Sequence, residues 1–248
     1  RAAVITEGLI MMNRNALLGG AAALLLGAAS AAGADTGAEL EWKFQVFLDK
    51  KEIGYHDYRV SQDGTERQVD TEAQFDVKVL FIKAYSYRHQ NTETWSDECL
   101  TAITAKTDAN GDDFLVRGSR SGDAFSVDNG KEQSTLPGCV MSFAYWNPAL
   151  LQQDRLLNAQ TGEYQDVEIR EGDLRTFEVD GERIIAQQYD LVLDNGTISV
   201  WYSTDNQRWV ALDAPAKGKR RIRYEPISVP SGQVRLSSTT AAAANIEG

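Results

Sequence analysis

Apolar and polar residues alternate one for one along most of the chain. Trp42, Phe44, Val46 and Leu48 share one side of the first such stretch. The longest lies between Arg67 and Val79. There Val69, Thr71, Ala73, Phe75, Val77 and Val79 alternate with Gln68, Asp70, Glu72, Gln74, Asp76 and Lys78. A period of two sends successive side chains to opposite faces of a strand, whereas a helix would scatter these residues around its circumference. Residues 80–95 continue the pattern, with Phe81, Tyr85, Tyr87 and His89 on one parity. Further strands are predicted over 53–60, 99–107, 114–117, 124–127, 164–170, 175–179, 183–193, 197–203, 208–213 and 221–224. Asp63-Gly64, Asn110-Gly111, Asn129-Gly130, Asp180-Gly181 and Asp194-Asn195-Gly196 supply the turns between them.

The alternation breaks at Pro137-Gly138-Cys139, and the following run, VMSFAYWNPALLQQ over 140–153, has neither period. Asn147 suits a helix N-cap and Pro148 a first helical position, which predicts a short helix over 149–153. The pattern therefore predicts an all-β fold of about eleven or twelve strands with one short helix. Its form is an antiparallel barrel, half-barrel or strongly curved sheet. Residues 35–226 read as a single domain, and the Ser-, Thr- and Ala-rich residues 227–248 as a flexible C-terminal tail.

The first 34 residues read differently. Asn13-Arg14-Asn15 precedes a fourteen-residue apolar run, ALLGGAAALLLGAA, and small residues follow it. This is the pattern of a secretory signal peptide, with cleavage expected after Ala34 or, alternatively, after Ala31. The apolar run is too short to span a bilayer as a permanent helix, so the mature chain is expected to carry no transmembrane segment. Residues 1–10 precede Met11 and Met12 and read as upstream of the translation start. Without residues 1–34 the chain has 23 basic and 35 acidic side chains, a net charge of −12. That charge argues against a nucleic-acid partner, because phosphate binding needs a basic face.

Export changes the meaning of the two cysteines. In an oxidising compartment Cys99 and Cys139 most simply form one disulfide; a pair of free thiols is the alternative. Two Cys and two His leave little for a zinc site, and no cofactor is expected. His56 and His89 are the candidate polar site groups, since histidine titrates near neutrality unperturbed. Asp57 or Glu93 beside them would be needed for a weak metal site. There is no G-x-S-x-G, no Walker loop, no G-x-G-x-x-G and no H-E-x-x-H in the sequence. The aromatic residues are the stronger lead. Tyr85, Tyr87, Trp95, Phe143, Tyr145, Trp146 and Trp201 are candidates to line an apolar interior, or else simply to fill it.

The stretches WKFQVFLDKKEIG at 42–54, Glu93-Thr94-Trp95, Cys99-Leu100, SFAYWNP at 142–148 and LLNAQTG at 156–162 carry a family likeness. Over roughly residues 40–226 the chain resembles a domain-of-unknown-function family of secreted proteins from Gram-negative bacteria. The resemblance implies a periplasmic location and an all-β fold. It brings no activity and no catalytic residues.

Three functions fit this reading. The first is a periplasmic binding or carrier protein for an apolar ligand such as an acyl lipid. It expects an aromatic-lined cavity. The second is an envelope structural or interaction module with a filled interior and a protein partner. The third is a histidine-dependent enzyme, which needs both histidines, or one and a carboxylate, to converge. They stand in that order, and the fold alone does not settle among them, because one barrel fold hosts many tasks.

Overall fold

The computed structural model describes residues 39–79 and 82–231; the expected signal peptide and most of the expected tail lie outside them. Fifteen strands are present among the described residues. The first eight are β1 (Glu39–Leu48), β2 (Lys51–Asp63), β3 (Glu66–Val79), β4 (Ile82–Ser96), β5 (Cys99–Ala109), β6 (Asp112–Ser121), β7 (Ala124–Asp128) and β8 (Gln133–Pro137). A 3-10 turn, Pro148–Gln152, precedes the small pair β9 (Arg155–Leu157) and β10 (Tyr164–Asp166). The chain closes with β11 (Glu168–Val179), β12 (Glu182–Leu193), β13 (Gly196–Ser203), β14 (Trp209–Ala216) and β15 (Arg220–Ser228).

Thirteen of these strands form one antiparallel sheet in the order β11-β12-β13-β14-β15-β1-β2-β3-β4-β5-β6-β7-β8. Two hairpin series thus meet where β15 pairs with β1, joining the two ends of the domain. β8 and β11 each have a single neighbour, so the sheet curves without closing. The curved-sheet expectation holds. The strand count rises above the expected number because 124–137 makes two short strands and β9 and β10 form a separate pair.

Three local readings need correction. Residues 164–170 and 175–179 are expected as two separate strands. Instead 164–166 pairs with β9, while β11 runs unbroken over 168–179 with a bulge between Glu171 and Leu174. A bulge absorbs extra residues without ending a strand, so the break in alternation around 171–174 is not a strand boundary. At the C-terminus β15 reaches Ser228, and Val229 packs against buried residues of β12–β14. The helix expected over 149–153 is a 3-10 turn. Asn147 caps it as expected, its side chain accepting from the Ala149 N–H at 3.0 Å.

What fills the concave side is the non-alternating chain between β8 and β11. Val140, Met141, Phe143, Tyr145, Trp146, Leu150, Leu156 and Leu157 are buried, together with Trp42, Phe44, Phe75, Tyr87, Trp95 and Trp209 of the sheet. This inserted segment is fixed at one place above all, the β4–β5 turn. Cys99 and Cys139 are disulfide-bonded with Cα atoms 4.9 Å apart. The Leu100 N–H donates to the Val140 carbonyl at 3.0 Å. Asn147 Nδ2 donates to Glu98 Oε2 at 2.9 Å. Arg67, itself buried, donates to the Asp97 carbonyl and lies 5.4 Å from the Trp146 ring.

In the chain-entropy picture the disulfide is worth about 4 kcal/mol for a loop of this length. Its location predicts where the loss is felt. After reduction, amide exchange should quicken first around residues 139–147 and Leu100, while β1–β3 stay protected. Uniform loosening across the sheet would contradict this anchoring role.

Candidate functional site

The register of the long strands decides what faces the inserted segment. One row across the sheet is Phe44, His56, Ala73, His89 and Thr107. The next is Trp42, Tyr58, Thr71, Asn91 and Ala105. The third is Val60, Val69, Glu93 and Ile103. Both histidines are thereby brought to one inner face, separated by the small side chain of Ala73. The interior of this aromatic sheet consequently carries a polar island.

The island borders a cavity of about 40 Å³, roofed by residues 142–146. Its walls include His56, Tyr58, His89, Asn91, Glu93 and Tyr224. His56 Nδ1 lies 2.9 Å from the Tyr224 hydroxyl and His89 Nδ1 lies 2.8 Å from the Thr107 hydroxyl. Burial pushes His56 well below its ordinary pKa, helped by the nearby His89. Burial alone brings His89 down to about 4. Both are therefore neutral at pH 7. Glu93 is also buried. Desolvation raises its pKa, while Asn91 Nδ2 and Trp95 Nε1, each donating at 3.0 Å, and the neighbouring Ser142 hydroxyl draw it part of the way back.

The candidate aromatic residues separate into groups. Phe143, Tyr145 and Trp146 roof the cavity and Tyr87 lines its wall. Trp95 packs edge-on against Trp146 at 5.5 Å. Tyr145 lies 5.4 Å from Trp209, and its carbonyl accepts from the Tyr202 hydroxyl at 2.8 Å. Tyr85 is buried in β4, two positions before Tyr87. Trp201 is apart from these. It belongs to a second cluster with Val179, Ile184, Ala186, Val210 and Ala211, and Arg175 lies 5.6 Å from its ring. The motif reading missed Asn91 and Ser142 and named Glu93 only as a metal neighbour. Parity contained the signal, since His89, Asn91, Glu93 and Trp95 continue the face of Tyr85 and Tyr87.

The Ser142 hydroxyl makes no hydrogen bond to either imidazole and lies beside the Glu93 carboxyl instead. Among the described residues no group of three His, Cys, Asp or Glu could hold a metal ion.

The larger hollows lie on the other face of the same strands. One of about 420 Å³ is lined by Glu41, Asp57, Arg59, Asp70, Glu72 and Lys106, among others. A second of about 520 Å³ shares Glu72, Gln90 and Lys106 with it and extends to Asp108 and Asp113. Partial burial raises Asp57 from its ordinary pKa; Lys43 opposes this, and Glu41 and Glu72 add to it. The face is therefore acidic on balance, and Ala73, Phe114 and Leu115 add apolar lining to the second hollow.

Fold and interior together define a β-barrel-like protein built on an open, self-filled antiparallel sheet. The chain belongs to the family described as Domain of unknown function (DUF6134), which matches residues 44–227. No curated protein matches it. Among solved structures it is similar to a beta-barrel-like protein of domain of unknown function DUF1849 from Brucella abortus. That match has a TM-score of 0.56 and 11% identity, covering 79% of this chain and 98% of the other. At that identity the likeness concerns the fold. No helix among the described residues is long and apolar enough to cross a membrane.

The buried histidines give a signed pH dependence. Above pH 6.5 they are neutral in both folded and unfolded chains and contribute nothing. Between 6.5 and about 4 the unfolded chain takes up protons that the folded His89 refuses, so stability falls as pH falls. The loss is about 3 kcal/mol for His89 across that window. Glu93 acts oppositely, because its raised folded pKa favours the folded state on acidification. Urea midpoints followed by tryptophan fluorescence at pH 7, 5.5 and 4.5 should fall, and less steeply in His89→Gln. An unchanged slope in that variant would refute the assignment. Trp146→Ala, measured the same way at pH 7, should cost about 3–5 kcal/mol through the void it leaves against Trp95.

Proposed function

We propose that the protein is a non-catalytic interaction module of the bacterial periplasm. It acts through its outer surface while its interior is occupied by its own chain. The cavity volume carries this reading. About 40 Å³ is far below the several hundred Å³ of ordinary ligand pockets, and far too small for an acyl chain. The partner face is the acidic hollow across the outside of β1–β5, which suits a basic or polar partner surface. Export is supported by the disulfide, which persists in oxidising compartments.

A ligand-binding barrel is the second reading. The aromatic lining and the barrel-like fold of the similar structure support it. An apolar ligand would then have to take the place of the inserted segment. Exposing Phe143, Tyr145, Trp146, Leu150, Leu156 and Leu157 costs roughly 9–18 kcal/mol at ~1.5–3 kcal/mol each. That is as large as the whole stability of a typical domain, which places the interaction reading first.

One preparation distinguishes the two. A photo-crosslinking residue at Thr92 or Thr104, both exposed on the outer face, should give protein adducts of defined mass in the intact envelope. The same residue at Ile185 should not. Raised ionic strength should weaken the Thr92 and Thr104 adducts, as expected of an acidic face. Native mass spectrometry of the same purified protein should show no bound lipid. A stoichiometric lipid with no adducts would reverse the order of the two readings.

A further inference from the structure

The polar island holds three buried side-chain atoms without a hydrogen-bond partner, from three different elements. They are His56 Nε2 on β2, Asn91 Oδ1 on β4 and, on the inserted segment, Ser142 Oγ, which neighbours the Glu93 carboxyl without a well-formed hydrogen bond. All three residues line the same cavity. The other polar atoms of two of these side chains are already engaged, His56 Nδ1 with Tyr224 and Asn91 Nδ2 with Glu93. Trp146 Nε1, in the roof of the same cavity, is a further buried donor without a hydrogen-bond partner.

We propose that this cavity is an internal water site, and that its one or two waters form the polar link between the sheet and the roof at Ser142. A cavity needs roughly 10–15 Å³ to hold a water, and buried waters typically make about three hydrogen bonds. The volume of about 40 Å³ and the three unpartnered atoms satisfy both conditions. The chemistry is also matched. Asn91 Oδ1 accepts only, Ser142 Oγ donates or accepts, and neutral His56 offers either role at Nε2 according to its tautomer. A water can present two donors and two acceptors to such a set. A dry cavity would leave these desolvated polar groups without hydrogen bonds beside the buried Glu93 carboxyl, which is unfavourable for each of them.

The same chemistry argues against two other occupants. An apolar molecule would leave all three atoms unsatisfied. A metal ion lacks ligands, since no cluster of three suitable side chains exists among the described residues. Direct contact holds the rest of the roof, through Asn147 to Glu98 and Tyr202 to the Tyr145 carbonyl. Water supplies the corresponding contact at the residue where the segment passes over the histidines.

A crystal structure of the unaltered protein at a resolution that defines waters tests the site. The expected result is density for at least one water within hydrogen-bonding distance of His56, Asn91 and Ser142. A second crystal is exposed to xenon under pressure. Xenon should stay out of a hydrated polar cavity, whereas an empty one admits it. Either an empty cavity or xenon at full occupancy overturns the proposal, as does any other solute in the water position. In solution, water-to-protein nuclear Overhauser effects should reach side-chain protons of His56 and Asn91 in the folded protein, and their absence would count against the site.

Discussion

The structure depends on covering the inner face of a sheet that curves but does not close. A thirteen-stranded sheet with two free ends leaves its concave face open to water unless something occupies it. Here that face carries four large indoles and rings, Trp42, Phe44, Trp95 and Trp209, and leaving them wet would cost more than a domain's stability can bear. The inserted segment solves the problem within the chain. It leaves the sheet at β8, crosses the inner face and rejoins at β11, so the missing wall and the missing core come from the same residues. This accounts for the composition of SFAYWNP, in which three aromatics are packed into seven residues. It also accounts for the site of the disulfide, which joins the beginning of the segment to the β4–β5 turn.

The inner face is not uniformly apolar, and this second constraint gives the molecule its chemical character. His56, His89, Asn91 and Glu93 are buried where an all-hydrocarbon core would be cheaper. Each has at least one direct partner: Tyr224, Thr107, Glu93, and for Glu93 the donors Asn91 and Trp95. The island is therefore mostly satisfied by its own members and sits among aromatic neighbours such as Phe75 and Tyr87, whose rings stack 5.2 Å apart. Such a network fixes one arrangement of strands and roof, because a slip of one residue would turn every polar group into the wrong surroundings.

Period-two patterning made the long strands legible, since Val69 to Val79 and Trp42 to Leu48 permit one reading only. Turn chemistry located most hairpins for the same reason: Asn110 and Asp180 adopt positive φ at turns the dipeptides had marked. Legibility ended where local rules met tertiary context. The break in alternation around 171–174 looks like a strand boundary and is a bulge, because the decision between the two rests on pairing with β12. His89-Gln90-Asn91-Thr92-Glu93 is polar on both parities, so its sequence reads as a solvated strand. Only the roof over it makes one parity interior. The site therefore came from two distant stretches whose meeting no spacing rule encodes. Trp201 illustrates the converse. Its residue type suggested the main interior, but its parity on β13 is opposite to that of Val200 and Tyr202, which do point there.

An open sheet also has to manage its two edges, and the manner of doing so bears on how the protein meets others. β8 is five residues long and ends in a proline, which lacks a donor N–H for a further strand. β11 is longer, but it is bulged at its centre and carries Glu168, Arg170, Glu171, Asp173, Arg175 and Glu178. Bulges and charges of this kind oppose addition of another strand. Leu174 is 62% exposed and Ile185 48%, and they stand singly on this charged hairpin rather than within an apolar patch. Strand addition is thus disfavoured at both ends and the concave face is already filled by the chain itself. On the proposed interaction role, the surface left for recognition is the broad outer face of β1–β5, where long strands hold acidic and amide side chains at fixed spacing.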